Sequence, residues 1–394
     1  MHNGLIHREM SSYLSDLFHY LPVITLTGPR QSGKTTLCRK VFSDLPYTNL
    51  EDFSTLAEVR NDPKAFLAKY PQGVIIDEAQ NFPEIFSYLQ VEVDNDRIEG
   101  GNRHFLVTGS NNFSLMQHVA QSMAGRTAVV SLLPLSTREI LAHRGEVSTS
   151  ELLLRGGYPA VWTTDLRGRQ ILLSNYYTTY IERDLRSLIN VKDLQAFQTF
   201  IRLAAGCIGQ EFNASALSIE VGVSVPTVKN WLSVLAASYV VYLLHPYHAN
   251  LGKRLTKTPK LYFYDTGLAA YLLGINSIEQ LDVHPLRGNL MENLVVNDIV
   301  KHGCNRGHEE SLFFYRDKSQ REVDVLRAVD DGSIEAYEIK ASMTYNADYF
   351  KHLRYLKSIL GDRLKRTTVV YDGTQENGQS IDGYCNFRHL RLLP

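Results

Sequence analysis

The chain has 394 residues and carries 41 Lys+Arg against 42 Asp+Glu, a formal net charge of −1. That balance excludes a uniformly basic nucleic-acid binder, and any such surface must be local. No basic segment leads into an apolar stretch at the N-terminus, the longest apolar run (234–244) is too short to cross a membrane, and the four cysteines Cys38, Cys207, Cys304 and Cys385 lack metal-ligand spacing, which predicts reduced thiols, a cytoplasmic location and no membrane partner.

The length predicts two to three domains. In the first, the β-branched run Val23-Ile24-Thr25-Leu26-Thr27 predicts a buried strand, and Thr35-Thr36-Leu37 opens a helical stretch. Between them Gly28, Pro29, Arg30, Gln31, Ser32, Gly33, Lys34 and Thr35 fit the phosphate-binding pattern G-x-x-x-x-G-K-[ST] without substitution. The glycines let successive N–H groups point inward, and the helix N-terminus adds a positive dipole. Lys34 is expected to neutralise the β/γ-phosphates of ATP. The Thr35 hydroxyl is expected to bind Mg²⁺, with Thr36 completing the loop.

A second apolar strand, Val74-Ile75-Ile76, ends in Asp77-Glu78. Carboxylates there sit at the C-terminal end of a buried strand, where parallel α/β sheets bind ligands. Asp77 is placed to hold the Mg²⁺ shell and Glu78 to polarise the attacking water. A third strand, His104 to Thr108, runs into Gly109-Ser110-Asn111. Its polar end resembles a sensor of the γ-phosphate or the water, through Ser110 or Asn111. Next comes Arg126, ahead of the strand Thr127–Val130. It is the candidate cation for the γ-phosphate, acting either in its own chain or in a neighbouring subunit of a homo-oligomer.

This order is similar to that of AAA-type P-loop ATPases. The resemblance sharpens on residues 28–37, Ile-Asp-Glu-Ala-Gln (76–80), Thr-Gly-Ser (108–110), Ala-Gly-Arg (124–126) and Leu-Pro-Leu-Ser (133–136). Gly-Gly-Tyr-Pro (156–159), Glu-Arg-Asp-Leu (182–185) and Tyr-Asp-Thr-Gly-Leu (264–268) extend it along nearly the whole chain. Together these resemble a bacterial and archaeal AAA ATPase family with a C-terminal domain of unknown function. The resemblance implies a fold more firmly than a process, and the glycine motifs at 156 and 264 carry no derivable chemistry.

Residues 151–190 read as helical, with Tyr176, Tyr177, Tyr180 and Ile181 as a core stripe. Beyond them, 215–221 and 226–235 predict two short helices around a Gly222 turn, with Val228, Trp231, Leu232 and Leu235 facing a core. Two strands follow, 239–244 and 260–264, and the loop between them carries Lys253, Arg254, Lys257 and Lys260 without an acid. That pattern resembles a winged helix. The expected partner there is double-stranded DNA, bound with little sequence preference, or else a protein.

In the last segment Glu292 begins an amphipathic helix, Asp324 lies on an alternating strand, and Glu338-Ile339-Lys340 ends another. A helical Glu, a strand Asp and Glu-x-Lys in that order resemble the PD-(D/E)xK nuclease core, with Val323 where the motif's proline usually stands. The resemblance implies Mg²⁺ or Mn²⁺ held by Glu292, Asp324 and Glu338, with Lys340 orienting or deprotonating the nucleophile. The expected fold is thus α/β: an AAA-type P-loop parallel sheet (1–145), a helical linker or lid (146–194), a winged-helix-like segment (195–280) and a PD-(D/E)xK-like domain (281–394). The expected function is MgATP hydrolysis by a nucleic-acid-associated ATPase with a metal-dependent nuclease domain. The alternative is a nucleotide-switched signalling or scaffold ATPase whose nuclease-like domain is inactive and serves protein interaction.

Overall fold

The computed structural model describes residues 5–109, 118–119, 122–185, 193–247, 258–329 and 332–392. They divide into two compact units. One is Met1–Leu135 with Ala237–Tyr239 and Cys304–His308; the other is Ser136–Ala236 with Val240–Gly303 and Glu309–Pro394. The boundaries expected at 145/146, 194/195 and 280/281 all fall inside the second unit.

The first unit holds strands β1 (Val23–Thr27), β2 (Tyr47–Asn49), β3 (Gly73–Asp77), β4 (His104–Thr108) and β5 (Thr127–Ser131). Their order is β2-β3-β4-β1-β5, and every neighbouring pair is parallel. Parallel strands need long crossovers, which the helices here supply, so both faces of the sheet are covered. That is why β1 and β3 are buried along their whole length. The period of two then sorts the side chains. Val23, Val74, Ile76, Phe105 and Val107 pack on Phe66, Phe86 and Leu89. Ile24, Leu26, Ile75 and Leu106 pack on Met10, Leu14 and Leu37. With all strands parallel, the glycine loop after β1 and the acids ending β3 open on one rim, on either side of β4.

The second unit holds β6 (Val241–Pro246), β7 (Lys260–Phe263), β8 (Ser311–Arg316), β9 (Glu322–Ala328), β10 (Ile334–Lys340), β11 (Leu364–Tyr371) and β12 (Gly383–Asn386). They form one sheet in the order β12-β11-β10-β9-β8-β6-β7. β8, β9 and β10 are an antiparallel meander. β10 and β11 are parallel, joined by the helix Lys351–Leu360, which buries Leu353, Leu356 and Leu360 at helical spacing. β6 pairs with β8 at His245–Phe313 and Pro246–Phe314, so the two C-terminal segments share a sheet. The helices Ala214–Val221 and Val225–Ala237 match the expected pair, and Val228, Trp231, Leu232 and Leu235 are buried. Tyr176, Tyr177, Tyr180 and Ile181 are buried as the stripe predicted. The strand expected from 239 starts only at Val241, because Tyr239 lies in the left-handed region (φ 56°).

The two glycine motifs prove to be halves of one packing device. Buried Asp265 accepts from Gly157 N–H at 2.6 Å and from Leu268 N–H at 2.7 Å, capping the helix Thr266–Leu272. Gly156 (φ 70°) has no room for a side chain: a Cβ there would lie 2.4 Å from Asp265 Oδ1. A Cβ on Gly267 would meet Arg155 O at 2.2 Å. Asp265→Ala would strip the helix cap and leave Gly157 N–H buried without its partner. The expected loss of stability is about 3 kcal/mol, read as a fall in the urea midpoint; a midpoint unchanged from wild type would contradict this account.

Candidate functional site

The glycine loop of the first unit is built by backbone geometry that few residues tolerate. Gly28 has φ 133° and Gly33 φ 93°, and Gln31 is left-handed at φ 62°. A Cβ on Gly28 would lie 2.2 Å from Leu132 O, so the close approach itself requires glycine. The helix Lys34–Val41 starts directly after Gly33. Lys34 is buried, and its ammonium donates to Gly28 O at 3.0 Å and Pro29 O at 2.8 Å. Burial lowers its pKa to about 8, against the opposing pull of Glu78 and Asp77. Ser32 is fully buried and its Oγ has no hydrogen-bond partner among the described residues.

Asp77, at the end of β3, is the hub of the rim. Its Oδ2 accepts from Thr35 Oγ1 at 2.6 Å and from Tyr47 OH at 2.9 Å. Its Oδ1 accepts from Thr108 Oγ1 and from Glu78 N–H. Thr35 and Asp77 are thus brought together as their expected shared role requires. Glu78 follows in a left-handed conformation (φ 55°), rare for a residue with a Cβ and typical of strained functional positions. Gln80 Nε2 donates to its Oε2. Burial raises the Glu78 pKa above the usual carboxylate range; the Gln80 hydrogen bond opposes this and Asp77 adds to it.

Sequence reasoning missed three of these groups. Tyr47 and Thr108 reach Asp77 from the neighbouring strands β2 and β4, and each passes for an ordinary strand residue in the sequence. Arg8 braces the loop, donating to Ser32 O at 2.7 Å and to Leu133 O at 2.6 Å. No local signal marks it, because both acceptors are backbone carbonyls distant in sequence. Arg30 is partly buried, Thr36 is exposed at the helix start, and Pro29 is buried. Ser110 and Asn111 lie outside the described residues.

Arg126 requires a correction. It precedes β5, and its carbonyl accepts from Val23 N–H at the N-terminal end of β1. The phosphate loop leaves the opposite end of that strand, about 15 Å away at the usual rise per residue. The guanidinium instead holds Asp94 in a two-point ion pair at 2.7 and 2.8 Å. In this structure Arg126 thus faces Asp94 and not the phosphate loop of its own chain.

A second cluster lies in the other unit, around the predicted nuclease-like residues. Glu338 Oε1 accepts from Lys340 Nζ at 2.6 Å, and Asp324 Oδ2 accepts from Ile339 N–H at 2.7 Å with Lys340 Nζ at 3.9 Å. Glu292 Oε1 accepts from Lys260 Nζ at 2.9 Å and from Tyr262 OH at 2.5 Å. Lys260 also pairs with Glu322 at 2.5 Å. Burial alone would lower the Lys260 pKa, but Glu292, Asp324 and Glu322 override it and hold the charge. One expectation changes here. Lys260, read as part of a basic loop, is buried in ion pairs at the start of β7 and offers no charge to DNA; Lys253, Arg254 and Lys257 lie outside the described residues. Among the described residues no group of three carboxylate, imidazole or thiolate side chains is arranged to hold a metal ion; Glu292, Asp324 and Glu338 influence one another electrostatically, and each is engaged by a lysine, tyrosine or backbone donor.

The glycine loop, the Thr35–Asp77 pair and the parallel order β2-β3-β4-β1-β5 define an AAA-type P-loop ATPase, and the family described as AAA domain matches residues 21–141. Families described as domains of unknown function, DUF8612 and DUF4143, match residues 147–279 and 287–387. The chain is 31% identical over 369 residues to an uncharacterized protein of Mycobacterium tuberculosis, covering 93% of this chain and 80% of that one, and it belongs to the same family. An uncharacterized protein of Haemophilus influenzae is 24% identical over 340 residues, covering 77% of this chain and 80% of that protein. Among solved structures, a Walker-type ATPase of Pyrococcus abyssi is similar with a TM-score of 0.45 and 15% identity, covering 68% of this chain and 96% of that one. No helix among the described residues is long and apolar enough to cross a membrane.

Proposed function

We propose that the protein binds MgATP on residues 28–36 and hydrolyses it with Glu78 as the base. The observation that carries this is Asp77, whose carboxylate is oriented by Thr35, Tyr47 and Thr108 beside a half-buried Glu78. The residues fit the nucleotide: a glycine cradle closed to any Cβ, the buried Ser32 hydroxyl without a partner, and a cationic Lys34. The loop N–H groups and Lys34 would orient the triphosphate. Thr35 and Asp77 would hold Mg²⁺, which when bound neutralises charge on the β- and γ-oxygens. Glu78 would take the proton of the attacking water.

The second unit admits two uses. The helix Leu194–Gly206, the bridges from Ile208 and Glu211 to β7, the two short helices and the β6–β7 pair follow a winged-helix order. The helix Arg287–Cys304, the β8–β9–β10 meander, a crossover helix and parallel β11 follow a PD-(D/E)xK-like order. These orders support both a nucleic-acid-cutting ATPase and a nucleotide-switched ATPase with an inactive nuclease-like domain. The seat of Lys260 on Glu292 favours the second. Purified protein is expected to release phosphate from ATP with Mg²⁺, to stop in EDTA, and to leave plasmid DNA intact with or without ATP. Turnover that survives EDTA would overturn the ATP-site assignment. Nicking that Asp324→Ala abolishes would return the choice to the nuclease.

A further inference from the structure

We propose that the Lys260 ammonium is a built-in counter-cation that takes the place of the metal ion in the nuclease-like cluster, so that the cluster is held together without metal. The inference rests on the nuclease-like reading of β8–β11 and the preceding helix. It does not depend on ATP hydrolysis.

The helical glutamate of such a core must turn at least one oxygen toward the ion. Here Oε1 of Glu292 is taken by Lys260 Nζ at 2.9 Å and by Tyr262 OH at 2.5 Å. Oε2 faces Gly209, where a Cβ would come within 3.6 Å of it. Gly209 is itself tied down, its N–H donating to Leu261 O at 2.8 Å. Both occupying side chains come from β7, outside the αβββ core. Lys260 is 2% exposed and makes a second pair with Glu322, the first residue of β9, at 2.5 Å. Its head also lies 5.5 Å from the Phe314 ring centre. An ammonium so enclosed is as fixed as a bound ion, and its charge is satisfied by two carboxylates.

The other two carboxylates are likewise engaged. Asp324 accepts from Ile339 N–H at 2.7 Å, and Glu338 accepts from Lys340 at 2.6 Å. Glu338 Oε2 is buried without a hydrogen-bond partner. Lys260 and Lys340 thus face Glu292, Glu322, Asp324 and Glu338 and offset part of their charge without a divalent ion. Mutual repulsion, the usual reason for such a cluster to recruit metal, is relieved from within.

The test is thermal melting of the nucleotide-free full-length chain against Mn²⁺, alongside Mn²⁺ binding followed by electron paramagnetic resonance. Wild type should show no Mn²⁺ stabilisation beyond that of Asp324→Asn. Lys260→Met, which keeps the length of the side chain and removes its charge, should melt lower without metal and regain a few degrees with Mn²⁺. The double variant Lys260→Met/Asp324→Asn should lose that gain. Lys260→Gln serves in the same way if the Met variant does not fold. A wild-type stabilisation that Asp324→Asn removes would overturn the proposal. So would a folded Lys260 variant that remains indifferent to Mn²⁺, since the lysine would then not be what stands in for the ion. The melts read metal binding and not turnover, so failure here leaves the ATP-site assignment untouched.

Discussion

Lys34→Ala is expected to weaken ATP binding by about two orders of magnitude, because the loop loses its principal cation. A charge-assisted contact to phosphate contributes about 3 kcal/mol, and each tenfold in affinity corresponds to about 1.4 kcal/mol. The ammonium is held inside the loop by the Gly28 and Pro29 carbonyls, so it is positioned ahead of the ligand and little side-chain entropy opposes binding. The same burial gives the interaction a pH dependence. A lysine whose pKa is lowered to about 8 keeps its charge below that pH and loses it above. ATP affinity should therefore fall as pH rises through about 8, with proton uptake accompanying binding on the alkaline side. Isothermal titration in buffers of different ionisation enthalpy reads both effects. Equal affinity in the Lys34→Ala variant would remove this residue from the site.

Glu78→Gln is expected to retain nucleotide and to lose turnover by a factor of about 10² to 10⁴, the usual contribution of a general base. The amide keeps the shape of the side chain and a carbonyl acceptor for the Gln80 amide, but it cannot take a proton. Burial raises the Glu78 pKa, so the carboxylate is a stronger base than an exposed one and is protonated at higher pH. The sign follows: the active form is the anion, and activity is lost as pH falls through the raised value. The acid limb of the rate profile should thus lie above the ordinary carboxylate range in wild type and vanish in the variant. Phosphate release measured beside nucleotide binding separates the two effects. Wild-type turnover in Glu78→Gln would move the base elsewhere on the rim.

Contiguous chemistry was legible in the sequence. The loop 28–35, the Asp77-Glu78 pair and the Val228/Trp231/Leu232/Leu235 face each depend on spacing along one strand, loop or helix, and local geometry converts spacing into position. The left-handed backbone of Glu78 was not legible, since φ > 0 at a residue with a Cβ follows from its surroundings rather than its identity. The pairing of Gly-Gly-Tyr-Pro with Tyr-Asp-Thr-Gly was visible only as two unexplained motifs. It takes the fold to bring Asp265 against Gly157 N–H.

The charged residues show the division most plainly. Arg126 looked like a cation for phosphate, and Lys260 like one for DNA. A charge in the sequence is a capacity with no direction, and its partner is whichever opposite charge the chain crossing supplies. Strand order put Arg126 at the far end of β1, beside Asp94. The joining of β6 to β8 made one sheet of two expected domains, with β7 laying Lys260 on Glu292 and Glu322. What the sequence determined by itself was an AAA-type P-loop ATPase pattern, with Lys34, Thr35, Asp77 and Glu78 as its candidate residues. Only the tertiary structure decided which other charges face that site and which are consumed in ion pairs, because desolvated charges pair with the nearest counter-charge that folding brings within reach.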